Sequence, residues 1–152
     1  MSRNYAVLQT LLLSAFAIVY FVGSGALLFP AGGAVRTVGL VLSLLGLLVM
    51  LAAFRSLGGA IQIAPEPRAN AQLVTGGIYR WLRHPIYTAI VLVVVGLSLR
   101  KPTWLVAIAA VIVIIFLVIK SRYEETLLIA RYPEYSAYRQ HTTGVLPWFH
   151  RA

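Results

Sequence analysis

Residues 4–35 carry no charge, and three further uncharged runs follow at 37–54, 85–99 and 102–119. A helix needs about 20 apolar residues, at about 1.5 Å rise each, to cross a hydrocarbon core of about 30 Å. The pattern predicts four membrane helices, at roughly 5–29, 37–54, 82–100 and 102–119. The third run is the shortest, so its helix is expected to begin earlier, near Tyr79, with its first turn among headgroups. Between the second and third runs, residues 57–77 hold Gly58-Gly59, Pro65, Pro67 and Gly76-Gly77, which read as an irregular loop. Residues 120–131 are expected to carry the fourth helix beyond the membrane. Pro133 ends it, and a short helical turn at 134–140 follows.

The fold class this predicts is all-α, a polytopic membrane protein with a helical carboxy-terminal extension, read as one domain over 1–152. Composition agrees. Sixty per cent of the residues are apolar and 11% charged, against about half and about a quarter in soluble domains. The first run exceeds the 7–15 apolar residues of a signal peptide, so it reads as a retained anchor.

Charge adds orientation. Thirteen Lys and Arg stand against four Glu and no Asp. With four crossings, ten basic residues fall on the side of both termini and three (Arg36, Arg100, Lys101) on the other. Cytoplasmic loops are enriched in Lys and Arg, so both termini are expected in the cytoplasm. The basic residues flank apolar runs and form no patch with interleaved aromatics, which argues for lipid headgroups as partners and against nucleic acid. Cys is absent, so thiolate chemistry is excluded. His84, His141 and His150 lack paired spacing, and no metal is expected.

The polar residues concentrate in two places. One is Gly77-Ile78-Tyr79-Arg80-Trp81-Leu82-Arg83-His84-Pro85-Ile86-Tyr87, before the third run. The other is Arg122-Tyr123-Glu124-Glu125, after the fourth. A tight hairpin at Arg100-Lys101-Pro102 returns the chain, so both segments meet at one membrane face. Ionisable groups at that depth are costly and point to function. Each has a plainer reading. Arg83 can snorkel, Tyr79, Trp81 and Tyr87 can form an aromatic belt, His84 can cap a helix, and Arg122 can pair locally with Glu125 three residues on. Those readings leave unexplained why three of four acids lie between Glu124 and Glu134.

Leu73-Val74-Thr75-Gly76-Gly77-Ile78-Tyr79, running into Arg83-His84-Pro85-Ile86-Tyr87, resembles the Gly-Pro-Tyr…Arg-His-Pro-x-Tyr stretch of isoprenylcysteine carboxyl methyltransferases, phospholipid methyltransferases and related bacterial membrane methyltransferases. Arg122, Glu124-Glu125, Leu128, Tyr135, Tyr138 and Pro147 resemble the second half of that pattern. Ile78 stands where Pro is usual and Ala89 where Gly is usual. The resemblance implies methyl transfer from S-adenosyl-L-methionine, with a cofactor region over 73–147. Gly77, Tyr79, Arg83, His84, Tyr87, Glu125, Tyr135 and Tyr138 would surround the cofactor, and Arg83 and Glu124 would carry the catalytic part. Arg83 and His84 suit its carboxylate, Glu125 or Glu124 its ribose or ammonium, and Tyr79, Tyr87 and Tyr135 its adenine. Glu124 is the candidate base for an amine or thiol acceptor.

The acceptor stays open among a prenylated cysteine carboxylate, a phospholipid amine and a small lipophilic thiol or acid. Two other function classes remain: an NADPH-dependent membrane reductase of the sterol type, which carries a similar Arg-His-Pro-x-Tyr stretch, and a non-catalytic scaffold. A lipophilic acceptor is expected to enter sideways past Ile86, Ile90, Leu117 and the second span near Phe54, under a lid at Gly58-Gly59 and Pro65-x-Pro67.

Overall fold

The computed structural model describes residues 2–58 and 73–145. Gly59, Pro65 and Pro67 of the expected lid, together with Pro147 and His150, lie outside them. The described residues are helical, with only isolated bridges and no strands. In chain order the helices are α1 (Ser2–Phe21), α2 (Gly33–Leu57), α3 (Pro85–Arg100), α4 (Trp104–Arg131) and α5 (Tyr135–Gln140), with a 3-10 turn at Gly77–Arg80 before α3. Three of them, α1, α2 and α4, are long and apolar enough to cross a membrane, and α3 is a shorter apolar helix. This is an integral membrane protein. Large apolar side chains such as Leu11, Ile18, Leu48 and Ile112 face outward. That is costly in water and costs nothing in lipid.

Two helix boundaries differ from the sequence reading. α1 stops at Phe21, not Phe29. Residues 26–28 instead pair with the α3–α4 hairpin: Leu28 N donates to Pro102 O (2.7 Å), Trp104 N donates to Ala26 O (3.3 Å), and Leu27 bridges Thr103. Lys101 closes the end of α1 by donating from Nζ to the carbonyls of Tyr20 (2.6 Å) and Gly23 (2.7 Å). A cation at a helix C-terminus satisfies orphan carbonyls and opposes the macrodipole.

The second difference is at α3, which starts at Pro85 and not near Tyr79 or Leu82. Pro at the first helical position has no N–H to leave unpaired, and it disfavours the α region for the residue before it. His84 accordingly sits at φ −128°, ψ 58°. The other ends run close to expectation. α2 extends the 37–54 run at both ends, Thr103 caps α4 by accepting from Val106 N (3.4 Å), and α4 and α5 are divided at Pro133.

α1 packs along α4, α2 along α3, and α3 along α4. The α2–α3 seam is built from small residues. Gly39, Ser43, Gly46 and Ala53 are the buried positions of α2, and the first three face Gly96 and Ala89 of α3. A Cβ on Gly46 would stand 2.8 Å from the Ala89 carbonyl oxygen. In lipid the hydrophobic effect does not drive helices together, so close backbone approach supplies the attraction. The core between α1, α3 and α4 comprises Phe16, Ile90, Val94, Val106, Val113, Phe116 and Leu117. Ile90 and Leu117 are therefore packed interior, and the sideways opening expected along them is closed here.

Candidate active site

The site lies where α3 begins and α4 ends. Two devices sew the carboxy-terminal segment onto the α3 entrance. Arg83 N donates to Thr143 O (2.8 Å) and Thr143 N to Trp81 O (3.0 Å), a short parallel bridge. Thr88 Oγ1 donates to Val145 O (2.7 Å) and Tyr138 Oη to Tyr79 O (2.5 Å). On the other flank Ile78 N donates to Ser56 Oγ of α2 (3.3 Å). Gly77 sits at φ +59°, and any side chain there would run into Ser56. Its need to be glycine is thus met by backbone conformation and close approach.

Around this frame the charged groups interlock. Arg83 Nε donates to Glu125 Oε1 at 2.9 Å, and its Nη1 donates to Arg139 O at 2.8 Å and to Thr142 O. Arg139 Nε lies 3.4 Å from Glu125 Oε2. His84 stands between the two carboxylates, Nε2 at 3.3 Å from Glu125 Oε1 and Nδ1 at 3.7 Å from Glu124 Oε2. Tyr87 stacks on the His84 ring at 5.5 Å and donates its hydroxyl to Glu124 Oε1 at 2.7 Å. Partners of Glu125 among the described residues are thus Arg83, His84 and Arg139, and the local pair with Arg122 is not formed.

Among the described residues one buried side-chain polar atom has no hydrogen-bond partner, the Tyr135 hydroxyl. Tyr135 is 1% exposed and packs against the Tyr138 ring at 5.6 Å. A buried hydroxyl without a partner is uncommon, and this one leaves hydrogen-bonding capacity inside the site. Burial is the main cause that raises the pKa of Tyr79, Tyr135 and Tyr138, the last to about 12. Nearby Glu124 or Glu125 adds to each shift, so the three hydroxyls stay protonated donors throughout the physiological range.

All the residues singled out from sequence (Gly77, Tyr79, Arg83, His84, Tyr87, Glu124, Glu125, Tyr135 and Tyr138) come together at this one end of the molecule. Four others that sequence reasoning passed over join them. Lys120, buried at 1% exposure, donates to Gln9 Oε1 of α1 at 2.6 Å. Ser56 supports the 3-10 turn, and Thr142 receives Arg83. The spacing of Lys120 four residues before Glu124 was a legible signal. Gln9, an amide inside an apolar run, was a fainter one. No group of three or more His, Asp or Glu among the described residues is arranged to hold a metal ion.

The phospholipid methyltransferase family pattern matches residues 35–135, from the start of α2 to the start of α5. The chain belongs to the phospholipid methyltransferase family. It is a membrane methyltransferase. The match takes in both polar segments and leaves α1 outside. Enzymes of this family generally use S-adenosyl-L-methionine as methyl donor. No curated protein matches the chain.

Proposed function

We propose that this phospholipid methyltransferase family member moves a methyl group from S-adenosyl-L-methionine to a lipid-anchored nucleophile at the membrane surface, a phospholipid amine before a prenylated carboxylate. The observation that supports it most is the convergence of Arg83, His84, Glu124 and Glu125, linked at 2.9, 3.7 and 3.3 Å, at the ends of two apolar helices. The donor residues fit the cofactor. Arg83 and His84 suit its carboxylate, and Glu125 its ribose or ammonium. Tyr79, Tyr87 and Tyr135 suit its adenine, and the Tyr135 hydroxyl, without a partner among the described residues, has hydrogen-bonding capacity to give.

When bound, the cofactor supplies a methyl carbon activated by a sulfonium. The chain's own residues supply alignment, which alone is worth several kcal/mol. Arg83, His84 and Glu125 would hold the cofactor so that its methyl faces the acceptor nitrogen's lone pair, the new N–C bond replacing the S–C bond, whose electron pair would stay on sulfur. The nitrogen's proton passes to Glu124, which Tyr87 orients, and from there to water. The family name favours a phospholipid amine as acceptor, and the basic asymmetry favours four crossings with this face and both termini in the cytoplasm.

The test is twofold. Purified protein in detergent is expected to be thermally stabilised by S-adenosylhomocysteine and not by NADPH. Labelled methyl is expected to appear in phosphatidylethanolamine within a panel that includes prenyl-cysteine and small thiols. Stabilisation by NADPH alone would move the chain to the reductase class, and stabilisation by neither would leave a scaffold.

A further inference from the structure

Lys120 is buried to 1% exposure in a helix otherwise apolar for four turns before it. An ammonium at such a depth is costly unless it is fully engaged. Its Nζ donates to Gln9 Oε1 (2.6 Å), lies 3.8 Å from Glu124 Oε1, and stands 5.3 Å from the centre of the Tyr87 ring. Tyr87 in turn donates to that same Glu124 oxygen. An ordinary solvent-exposed pair four residues apart on a helix would bury neither partner and would recruit no third helix. Here α1, the one crossing helix outside the family match, reaches the site through a single amide. A second contact holds α1 there: Tyr5 stacks on Tyr123 of α4 at 4.9 Å.

We infer that Lys120, fixed by Gln9, is a positioning residue that keeps the Glu124 carboxylate ionised and aimed, so that α1 is part of the catalytic apparatus. The inference rests on the reading of Glu124 as proton acceptor. The groups facing Glu124 are Lys120 on its own helix, His84 and Tyr87 from the start of α3, and Tyr79 from the 3-10 turn, while Gln9 of α1 reaches it only through Lys120. Arg83 and Arg139 are committed to Glu125. Lys120 is therefore the Lys or Arg side chain that stands within 4 Å of Glu124 among the described residues, and removing it takes away the basic partner the carboxylate has there.

The experiment uses the full chain in lipid nanodiscs, with Lys120→Met, Lys120→Arg and Gln9→Leu. Infrared titration of the carboxyl band, against Glu124→Gln as blank, reads Glu124 ionisation whatever the acceptor is. In Lys120→Met the midpoint is expected to rise by about one pH unit or more, and in Lys120→Arg to return toward the parent value. Turnover with phosphatidylethanolamine vesicles is expected to fall at least about tenfold in Lys120→Met, its acid limb moving to higher pH, while S-adenosylhomocysteine affinity stays within about twofold. Gln9→Leu, which leaves the charge but not its tether, is expected to lower turnover with the same affinity, and it carries the test if Lys120→Met does not fold. A folded Lys120→Met with an unmoved midpoint, or parallel loss of turnover and S-adenosylhomocysteine binding in Gln9→Leu, overturns the inference. Absence of methylation by the parent protein would instead count against the proposed function, and the infrared midpoint would still decide the role of Lys120.

Discussion

Arg83 Nε lies 2.9 Å from Glu125 Oε1, while Nη1 of the same guanidinium holds the carbonyls of Arg139 and Thr142. One side chain thus ties α3 to α4 and both to the carboxy-terminal segment. Because Glu125 is buried among Arg83, His84 and Arg139, its charge serves the fold as well as any ligand.

Glu125→Gln is therefore expected to do two things. It weakens S-adenosylhomocysteine binding by about 1.5–3 kcal/mol, the range for hydrogen bonds to charged groups. It also lowers the melting temperature of the ligand-free protein, because Arg83 and Arg139 lose a shared counter-charge. Calorimetric titration beside a ligand-free thermal melt separates the two effects, and unchanged binding would return Glu125 to a purely structural role.

The α2–α3 seam makes a steric prediction. Gly46→Leu forces a side chain against the Ala89 carbonyl and Val93, and overpacking of this kind costs about 1–3 kcal/mol. Gly32→Ala, whose added carbon meets nothing within 4 Å, is the control. Denaturation in mixed micelles is expected to shift for the first and stay for the second.

Alkaline pH tests the buried tyrosines. Their folded-state pKa values lie above the ordinary value of about 10, with Tyr138 at about 12. A raised folded pKa means that the stabilisation is fully present below about 10 and is lost as pH climbs from there through about 12. Absorbance of tyrosinate is expected to show a late-titrating class that appears together with unfolding. Ionisation of all eight tyrosines near pH 10 in the folded protein would contradict the packing of α5.

Topology is open to direct labelling because the sequence contains no Cys. Gly32→Cys and Gly76→Cys each add a side chain into open space. In sealed right-side-out cells, an impermeant maleimide is expected to modify position 32 and to reach position 76 only after permeabilisation. The reverse pattern would invert the orientation argued from Arg and Lys.

The sequence by itself determined the all-α membrane architecture, the hairpin at Arg100-Lys101-Pro102, the extension and stop of α4 at Pro133, and the two segments that meet at one face. Apolar run length, proline and charge are local properties, and a bilayer enforces them residue by residue. Tertiary structure decided what depends on partners far apart in the chain. α1 ends early because residues 26–28 find backbone hydrogen bonds on the hairpin about 75 residues later. α2 and α3 touch because Gly39, Ser43 and Gly46 happen to meet Gly96 and Ala89. Lys120 looked like the flank of an apolar run until Gln9, 111 residues away in sequence, supplied the acceptor that makes burying its charge tolerable.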